Sequence, residues 1–374
     1  MKDSGIVPRE RHKQRKIMQN LNNIMLNRDE RIIYGLRSLY TSNGYTQFKM
    51  SKFEEYDLYG KNKDFLISEG VITFTDASGK LMALKPDVTF SIIKNSVDIP
   101  GHVKRVCYNE NVYRMSEGTH DFTEIMQSGV ECIGELDMYN IFEVLSLAEK
   151  SLAMIGESYV LDVSHIGFVE GLLLDANSRD NDAVLKCIGE KNGHGLDELL
   201  GEKSEKLKTL VKLYGSFADV IPELEALNVN EITNAALDEI KKLARLFGRS
   251  ENIKLDFSVV SSMNYYNGIV FKGFVSGAPT AVLSGGRYDK LMKKLGKKSG
   301  AVGFAVYHDR LKYLGRDSAL EEKPVLVLYD TKTDTDLILA EKRKLEADGV
   351  RFELQKTVTD KDLYSRIIDI RSKF

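Results

Sequence analysis

Two polar side chains four positions apart in a strand-like run are the first candidates for ligand chemistry. Gln127 and Glu131 lie in the run 127–134, and because side chains alternate along a strand, both point to the same face. A carboxylate is costly to bury without a partner, so a buried Glu131 would require a cation or an N–H donor. An outward, solvated face is the alternative. The apolar neighbours permit both, and we favour a pocket.

Two further groups of side chains are suited to a small polar ligand. The tract 84–89 (Leu-Lys-Pro-Asp-Val-Thr) contains Asp87 and Thr89, whose oxygens could accept from an ammonium group, although alone it is typical of a turn. Tyr265 and Tyr266 offer phenol hydroxyls. Paired tyrosines in a strand are more often sheet packing, but an Asn-Gly pair and the run 284–289 (Ser-Gly-Gly-Arg-Tyr-Asp) follow, which favours a pocket.

The composition is that of an ordinary globular protein. The 374 residues predict two or three domains, and the hydrophobic and charged fractions of 43% and 29% are typical of soluble proteins. No apolar run is long enough to span a membrane, and the first residues do not resemble a signal peptide. Three widely spaced cysteines disfavour a disulfide framework or a zinc site, so we expect a cytoplasmic protein without a metal.

The charges give no general support for nucleic-acid binding. The 53 basic and 55 acidic residues leave a formal net charge of −2. The one concentrated basic run, 9–16, is predicted to be the solvated face of an N-terminal helix, with an RNA- or partner-contacting arm as the alternative. The sequence contains no P-loop, Gly-x-Gly-x-x-Gly, His-Glu-x-x-His or Gly-x-Ser-x-Gly motif and no phosphoribosyltransferase signature, so we expect no bound cofactor.

The spacing of apolar residues predicts an α+β fold with a mainly antiparallel sheet. Helical spacing occurs over 17–26 and from residue 28 to Gly44. Strand-like runs follow at 45–48, 71–84 (a hairpin turning at Ser78-Gly79), 103–113, 129–134, 255–259, 269–275 and 301–307. Strands connected by hairpins, rather than by repeated helices, argue against a parallel dinucleotide-binding fold.

Helices are predicted to dominate the middle of the chain. We expect a helical insertion over about 172–249, with a helix end at Gly248 and one apolar stripe formed by Leu207, Leu210, Val211 and Tyr214. The pattern changes after residue 322 to strand 324–329, helix 335–347, strand 350–354 and helix 360–370. We therefore predict two domains, 1–320 and 321–374.

Several of these motifs resemble histidyl-tRNA synthetases, class II enzymes that activate histidine with ATP. The run 261–271 (Ser-Ser-Met-Asn-Tyr-Tyr-Asn-Gly-Ile-Val-Phe) is similar to that family's histidine-binding tract, and 284–289, with Gly-Phe-Ala-Val at 303–306 and then Arg310, is similar to motif 3. The helix from residue 28 and the strand after Gly44 resemble motif 1, the dimer-forming element. The resemblance implies a class II aminoacyl-tRNA synthetase-like antiparallel sheet flanked by helices, and 321–374 resembles a truncated anticodon-binding domain.

The resemblance also implies which residues bind histidine. They are Asp87, Thr89, Arg114, Gln127, Glu131, Tyr265 and Tyr266. Motif 3 would add Gly285, Gly286, Arg287 and Arg310. The ammonium group would be held by Asp87, Thr89 and Gln127. The imidazole would be bound by Glu131 and Tyr266. Arg114, which matches the motif 2 arginine, would face the carboxylate.

Two positions depart from the synthetase pattern where the chemistry needs arginine. The family has arginine where this chain has Ser261, and a further phosphate-contacting arginine where this chain has Asp121. Losing one preorganised cation typically costs on the order of 100–1,000-fold in rate. An acidic group beside a triphosphate adds repulsion. We therefore expect the adenylation chemistry to be lost.

Such a pattern is closer to the regulatory subunits of ATP phosphoribosyltransferase, whose version of tract 84–89 also carries aspartate. The resemblance implies a non-catalytic subunit that binds L-histidine as an allosteric ligand and forms a synthetase-like dimer. It would assemble with a short-form catalytic subunit, activate it and convey histidine feedback inhibition in the first step of histidine biosynthesis. A divergent histidine–tRNA ligase, or a synthetase paralogue with another partner, is the alternative.

Overall fold

The computed structural model describes residues 27–62, 70–115, 121–260, 265–314 and 323–371. The chain divides into two compact units, of which the larger spans 29–315 and the smaller contains the described residues 323–371. The predicted helix at 17–26 and Ser261 lie outside the described residues. Within the described residues, no helix is both long enough and apolar enough to cross a membrane.

The larger unit contains strands β1 to β12 and helices α1 to α12. In chain order the strands are Thr46–Gln47, Phe53–Glu55, Thr73–Thr75, Leu81–Leu84, Val103–Met115, Phe122–Gly134, Tyr159–His165, Tyr214–Gly215, Ile253–Asp256, Ile269–Val275, Leu283–Arg287 and Gly300–Tyr307. The helices are Arg28–Ser42, Asp57–Gly60, Val88–Lys94, Met138–Ile155, Ile166–Asp175, Asn181–Gly189, Gly193–Leu200, Glu205–Lys212, Phe217–Leu227, Glu231–Phe247, Asp289–Lys294 and His308–Leu311.

A large sheet organises this unit. Nine of the described strands pair in the order β1-β5-β6-β12-β11-β10-β7-β9-β8. Across the sheet, each pair of neighbours from β5 through β6, β12, β11 and β10 to β7 is antiparallel, whereas β1–β5 and β7–β9 are parallel. The mainly antiparallel sheet that the sequence predicts is therefore confirmed. A smaller sheet, β2-β4-β3, contains the predicted hairpin, which turns through Gly79 at a φ of +83° that favours glycine.

One face of the large sheet packs against helix α4. Side chains from the strands, including Val130, Val163 and Phe271, share a buried cluster with Leu145 and Leu152 of α4. Fully burying an apolar side chain of this size contributes about 1.5–3 kcal/mol. Because side chains alternate along each strand, the residues between these apolar positions point to the opposite face. That opposite face carries the polar candidates.

The segment that resembles motif 1 has the predicted order of elements. Helix α1 buries Ile32, Leu36 and Tyr40 on one side, as its spacing indicates. Gly44 follows at a φ of +85°, and Tyr45 is buried before the short strand β1 pairs in parallel with β5. The helix and strand of this segment are confirmed.

The middle of the chain is helical from α5 to α10, and α10 ends at Gly248 with a φ of +63°, as predicted. The prediction that Tyr214 belongs to the apolar helical stripe is wrong. Leu207, Leu210 and Val211 are buried on α8, but Tyr214 lies in the two-residue strand β8, pairs with β9 and is 53% exposed. Its helical spacing in the sequence is broken because α8 ends at Lys212 and the backbone at Leu213 is extended.

The smaller unit contains β13 (Val325–Leu328), α13 (Thr335–Ala347), β14 (Phe352–Gln355) and β15 (Arg366–Asp369). The predicted helix over 335–347 is confirmed, and so are the strand before it and the strand after it. The predicted helix over 360–370 is wrong, since this segment forms a 3₁₀ turn at Lys361–Leu363 and then β15. Both β14 and β15 pair in parallel with β13, one on each side of it. Pairing of β15 with β13 therefore outweighs the helical spacing of the isoleucines in 360–370.

Candidate ligand-binding site

A small cavity of about 30 Å³ lies over the polar face of the large sheet. Its lining residues are Asp87, Thr89, Tyr108, Gln127, Glu131, Tyr265, Tyr266, Ser284, Tyr288, Gly303, Phe304, Ala305 and Tyr307. Six of the residues predicted to bind a ligand are among them, although they come from three separate parts of the sequence.

Glu131 lies at the bottom of the cavity and is 2% exposed. Its Oε1 accepts a hydrogen bond of 2.9 Å from the Thr89 hydroxyl, and its Oε2 accepts one from the Tyr288 hydroxyl. Burial raises the pKa of the Glu131 carboxyl to about 8, although both hydrogen bonds oppose this shift. Glu131 is therefore mostly protonated at neutral pH, and a ligand that provides a positive charge would favour its ionised form.

Asp87 is positioned by the start of helix α3. Its side chain caps this helix by accepting from the backbone N–H of Phe90 at 3.1 Å, and the helix itself is buried. The preceding Lys85 is fully buried and donates to Glu110 Oε2 at 2.9 Å, which ties the tract to β5. Burial raises the pKa of the Asp87 carboxyl, while the charge of Arg114 opposes this shift.

Gln127 lies on the same face of β6 as Glu131, as the alternation along the strand predicts. Its side chain is 3% exposed, and its Nε2 has no hydrogen-bond partner within the described part of the chain. A buried amide N–H without a partner costs free energy, which a ligand oxygen would recover. Rotation of the amide would present its oxygen to an ammonium group instead, so Gln127 can bind either group.

The tyrosine pair closes one side of the cavity. The rings of Tyr265 and Tyr266 meet edge to face at 4.6 Å between centroids, and Tyr288 lies 5.9 Å from Tyr265. The following Asn267 fixes the pair to motif 3: its N–H donates to the Arg287 carbonyl at 2.8 Å and its amide donates to Asp289. The side-chain bond to Asp289 explains the asparagine at position 267.

The two glycines of motif 3 do not line the cavity; Gly286 lies on the cavity face of the sheet and Gly285 on the apolar face. A Cβ at Gly286 would lie 2.6 Å from Cδ1 of Tyr266, and a Cβ at Gly285 would meet the Phe304 side chain and the Gly303 carbonyl. Substitution at either position would therefore displace a neighbouring strand or ring. Their effect on the cavity is indirect.

The two motif 3 arginines also lie outside the cavity lining. Arg287 donates to Asp289 Oδ2 at 2.8 Å and approaches Glu239 on α10 at 3.9 Å, so it connects the sheet to the helical insertion. Arg310 donates to the Ala281 carbonyl, and its guanidinium lies 4.3 Å from the ring centroid of Tyr307. Arg310 contacts the cavity lining through the ring of Tyr307.

Arg114 lies next to the tract that carries Asp87. Its Nε donates to the Pro86 carbonyl at 2.9 Å, and it is absent from the residues that line the cavity. Through Nε, Arg114 holds the tract that carries Asp87, and its charge acts on the Asp87 carboxyl. That Arg114 faces a ligand carboxylate stays a prediction. Asp121 is exposed just before β6 and lies outside the lining as well.

Sequence reasoning missed several lining residues, chiefly Tyr108, Tyr307 and Ser284. The hydroxyls of Ser284 and Tyr307 form a hydrogen bond of 2.7 Å at the edge of the cavity. The alternation of β5 and β12 shows which face these residues take, but only the strand order reveals that this face is the one with Glu131.

Charge is distributed unevenly in this cavity. Among its described lining residues there are two carboxyl groups, Asp87 and Glu131, and no lysine, arginine or histidine. Buried carboxyl groups are stabilised by cations and N–H donors. The cavity therefore suits a ligand that carries an ammonium group and at least one further N–H.

The fold and this cavity define a protein of the class II aminoacyl-tRNA synthetase type. The family model described as histidyl-tRNA synthetase matches residues 18–311. An ATP phosphoribosyltransferase regulatory subunit of Clostridium kluyveri is 31% identical over 79% of this chain and 81% of that protein. The chain therefore belongs to the family of ATP phosphoribosyltransferase regulatory subunits, within the histidyl-tRNA synthetase-like proteins.

Two solved structures are similar over most of their length. An ATP phosphoribosyltransferase regulatory subunit/histidyl-tRNA synthetase from Bacillus halodurans superimposes with a TM-score of 0.74 at 26% identity, over 92% of this chain and 94% of that one. A chain of the ATP phosphoribosyl transferase (HisG:HisZ) complex from Thermotoga maritima superimposes with a TM-score of 0.57 at 19% identity, over 74% and 96%. At that identity the second likeness shows the fold alone.

Proposed function

We propose that this chain is a non-catalytic regulatory subunit of ATP phosphoribosyltransferase and that it binds L-histidine in the cavity. The observation that carries this proposal is the buried pair of carboxyl groups, Asp87 and Glu131, in a cavity whose described lining has no cation. Histidine carries an ammonium group and an imidazole N–H, which are the two kinds of donor that such a pair favours.

The contacts can be assigned from the positions of the side chains. The ammonium group of histidine would lie between Asp87, Thr89 and Gln127, and the imidazole would lie between Glu131 and the hydroxyl of Tyr266. Tyr265 and Tyr288 would enclose the ring. A site that hydrogen-bonds both ends of the imidazole rejects amino acids whose side chains lack these groups.

The same cavity is poorly suited to activating histidine with ATP. Adenylation depends on fixed cations around the phosphates. Two of the family's arginines are replaced here by Ser261 and Asp121, and Arg310 is engaged by the Ala281 carbonyl and the Tyr307 ring. We propose that the chain binds histidine without catalysing a reaction on it and needs no cofactor.

The partner follows from the relatives. Because the curated relatives are named regulatory subunits, we propose that this chain assembles in the cytoplasm with a short-form catalytic subunit and forms a dimer through its motif 1 segment. Histidine would inhibit the first step of histidine biosynthesis by favouring one of two states of the assembly, which requires a different histidine affinity in each.

The experiment has two parts, both on the full chain. Histidine-dependent ATP–pyrophosphate exchange is measured beside an active histidyl-tRNA synthetase, and thermal melting is measured with and without L-histidine. We expect no exchange and a higher melting temperature with histidine. The chain is then mixed with the short catalytic subunit of the same organism, whose activity should rise and become sensitive to histidine. Robust exchange would instead favour the ligase alternative.

A further inference from the structure

The carboxylate of an amino-acid ligand needs a cation or several N–H donors, and the described lining of the cavity supplies no cation. Synthetases of this type have an arginine where this chain has Ser261. Arg114 and Arg310 are both directed at backbone carbonyls, those of Pro86 and Ala281. A further cation among the described residues of this sheet face would therefore favour a bound carboxylate.

The register of the sheet places one lysine at the edge of the cavity. Lys272 on β10 pairs with Ser284 on β11, Ser284 pairs with Ala305 on β12, and Ala305 pairs with Gly129 on β6. Paired residues point to the same face, so these four side-chain positions form one row across the sheet. Ser284 and Ala305 line the cavity, and Lys272 is the next residue in their row.

The positions between Lys272 and Gly129 in this row carry the small side chains of Ser284 and Ala305. Neighbouring strands are about 4.8 Å apart, a distance that the flexible four-carbon stem of a lysine can cover. Lys272 and Glu131 are separated by three strand spacings, or about 14 Å between backbones. A ligand about as long as a small amino acid can span this distance when the lysine side chain extends along the sheet face.

Lys272 is half-buried and has no hydrogen bond or ion pair among the described residues. Burial lowers the pKa of its ammonium group, the charge of Arg310 adds to this effect, and the carboxylate of Asp256 opposes it. Asp162 is its neighbour on β7, yet the two side chains form no ion pair. A lysine in this condition gains most from an anion that enters from the cavity.

We propose that Lys272 binds the carboxylate of the amino-acid ligand, in the role that an arginine at position 261 has in synthetases. This inference rests on the proposed histidine-binding function. In this arrangement the ligand lies across the sheet, with its imidazole at Glu131 and its carboxylate over Ser284. Lys272 is then a specificity-determining residue that selects free amino acids over neutral or decarboxylated analogues.

The test compares two ligands on three variants by isothermal titration calorimetry. The ligands are L-histidine and L-histidinamide, which lacks the negative charge. The variants are Lys272→Met, Lys272→Arg and, as a matched control, Lys254→Met. Lys254 pairs with Asp162 in the same row but lies two strands further from the cavity than Lys272.

We expect Lys272→Met to bind L-histidine about 10–100-fold more weakly, the value of one charge-assisted hydrogen bond. The same variant should bind L-histidinamide as the unmodified chain does. Lys272→Arg should keep most of the affinity, and Lys254→Met should change little. Thermal melting should show that Lys272→Met folds, since the substitution removes a half-buried charge without a partner.

Two results would overturn the inference: unchanged L-histidine affinity in Lys272→Met, or an equal loss for both ligands, which indicates a structural role. If the unmodified chain bound neither ligand, the proposed function itself would fail. The unmodified chain is therefore titrated first, which separates the two failures.

Discussion

Gly303 on β12 faces Glu131 on β6, and the absence of a side chain at Gly303 leaves the space that the Glu131 carboxylate occupies. A Cβ at Gly303 would overlap with Oε2 of Glu131 and crowd the Val130 carbonyl. The carboxylate thus lies directly against the backbone of the central sheet. Such a position is dry and rigid, and its electrostatic consequences can be measured.

The first prediction concerns stability and pH in Glu131→Gln. The pKa of the Glu131 carboxyl rises from its usual 4.5 to about 8 on folding. Between these values the folded chain keeps a proton that the unfolded chain has lost, so stability falls by about 1.4 kcal/mol per pH unit. Glutamine does not titrate. The advantage of the variant in free energy of unfolding should therefore grow from pH 4.5 to 8 and then level off.

Chemical denaturation of both chains at several pH values without ligand measures this difference. Tyr288→Phe provides the control, because the Tyr288 hydrogen bond lowers the pKa of Glu131. Without this hydrogen bond the pKa of Glu131 should rise further, so the fall in stability should continue to a higher pH. A difference between the unmodified chain and Glu131→Gln that is constant with pH would mean that the carboxyl titrates normally.

The second prediction concerns protons exchanged when L-histidine binds. A free imidazole has a pKa of about 6.5, and Glu131 without ligand has one of about 8. In the complex we expect one proton between them, as an imidazolium and a carboxylate. Binding should therefore release one proton below about pH 6, exchange almost none near pH 7.2 and take one up above pH 8. Affinity should be highest between these limits.

Calorimetry in buffers with different ionisation enthalpies counts these protons directly. The informative control is Glu131→Gln above pH 8, where uptake should disappear because the variant has no carboxylate to attract a proton to the imidazole. Uptake of the same size in the variant would show that another group binds the imidazole.

Much of the site could be predicted from the sequence because each part of it is local. Alternation along one strand places Gln127 and Glu131 on one face, and a helix cap places Asp87 beside Thr89. Strand order is not local. Strand pairing decides the contact between Glu131 and Gly303 and the row that contains Lys272. The bond from Arg114 to the Pro86 carbonyl likewise cannot be read from the local sequence. The misread helix over 360–370 has the same cause, since its strand forms only by pairing with β13.

The third prediction is that Gly303→Ala weakens histidine binding and leaves the fold largely intact. The new methyl group would force the Glu131 carboxylate out of its position, because the strand backbone on the other side cannot move freely. Overpacking of this kind typically costs 1–3 kcal/mol of stability. Loss of the charge-assisted hydrogen bond to the ligand should weaken L-histidine binding about 10–100-fold.

Calorimetry measures the affinity, and thermal melting separates it from unfolding. Gly193→Ala is the matched control, since the nearest atom to a Cβ there is 3.8 Å away, on the Lys208 side chain, and the position lies in α7, far along the chain from the sheet. Combining Gly303→Ala with Glu131→Gln adds a stricter test. If Gly303 acts by positioning the carboxylate, the double variant should bind histidine no more weakly than Gly303→Ala alone, because the contact is already lost. Additive losses would show that Gly303 affects the ligand by another route, such as the space beneath the imidazole.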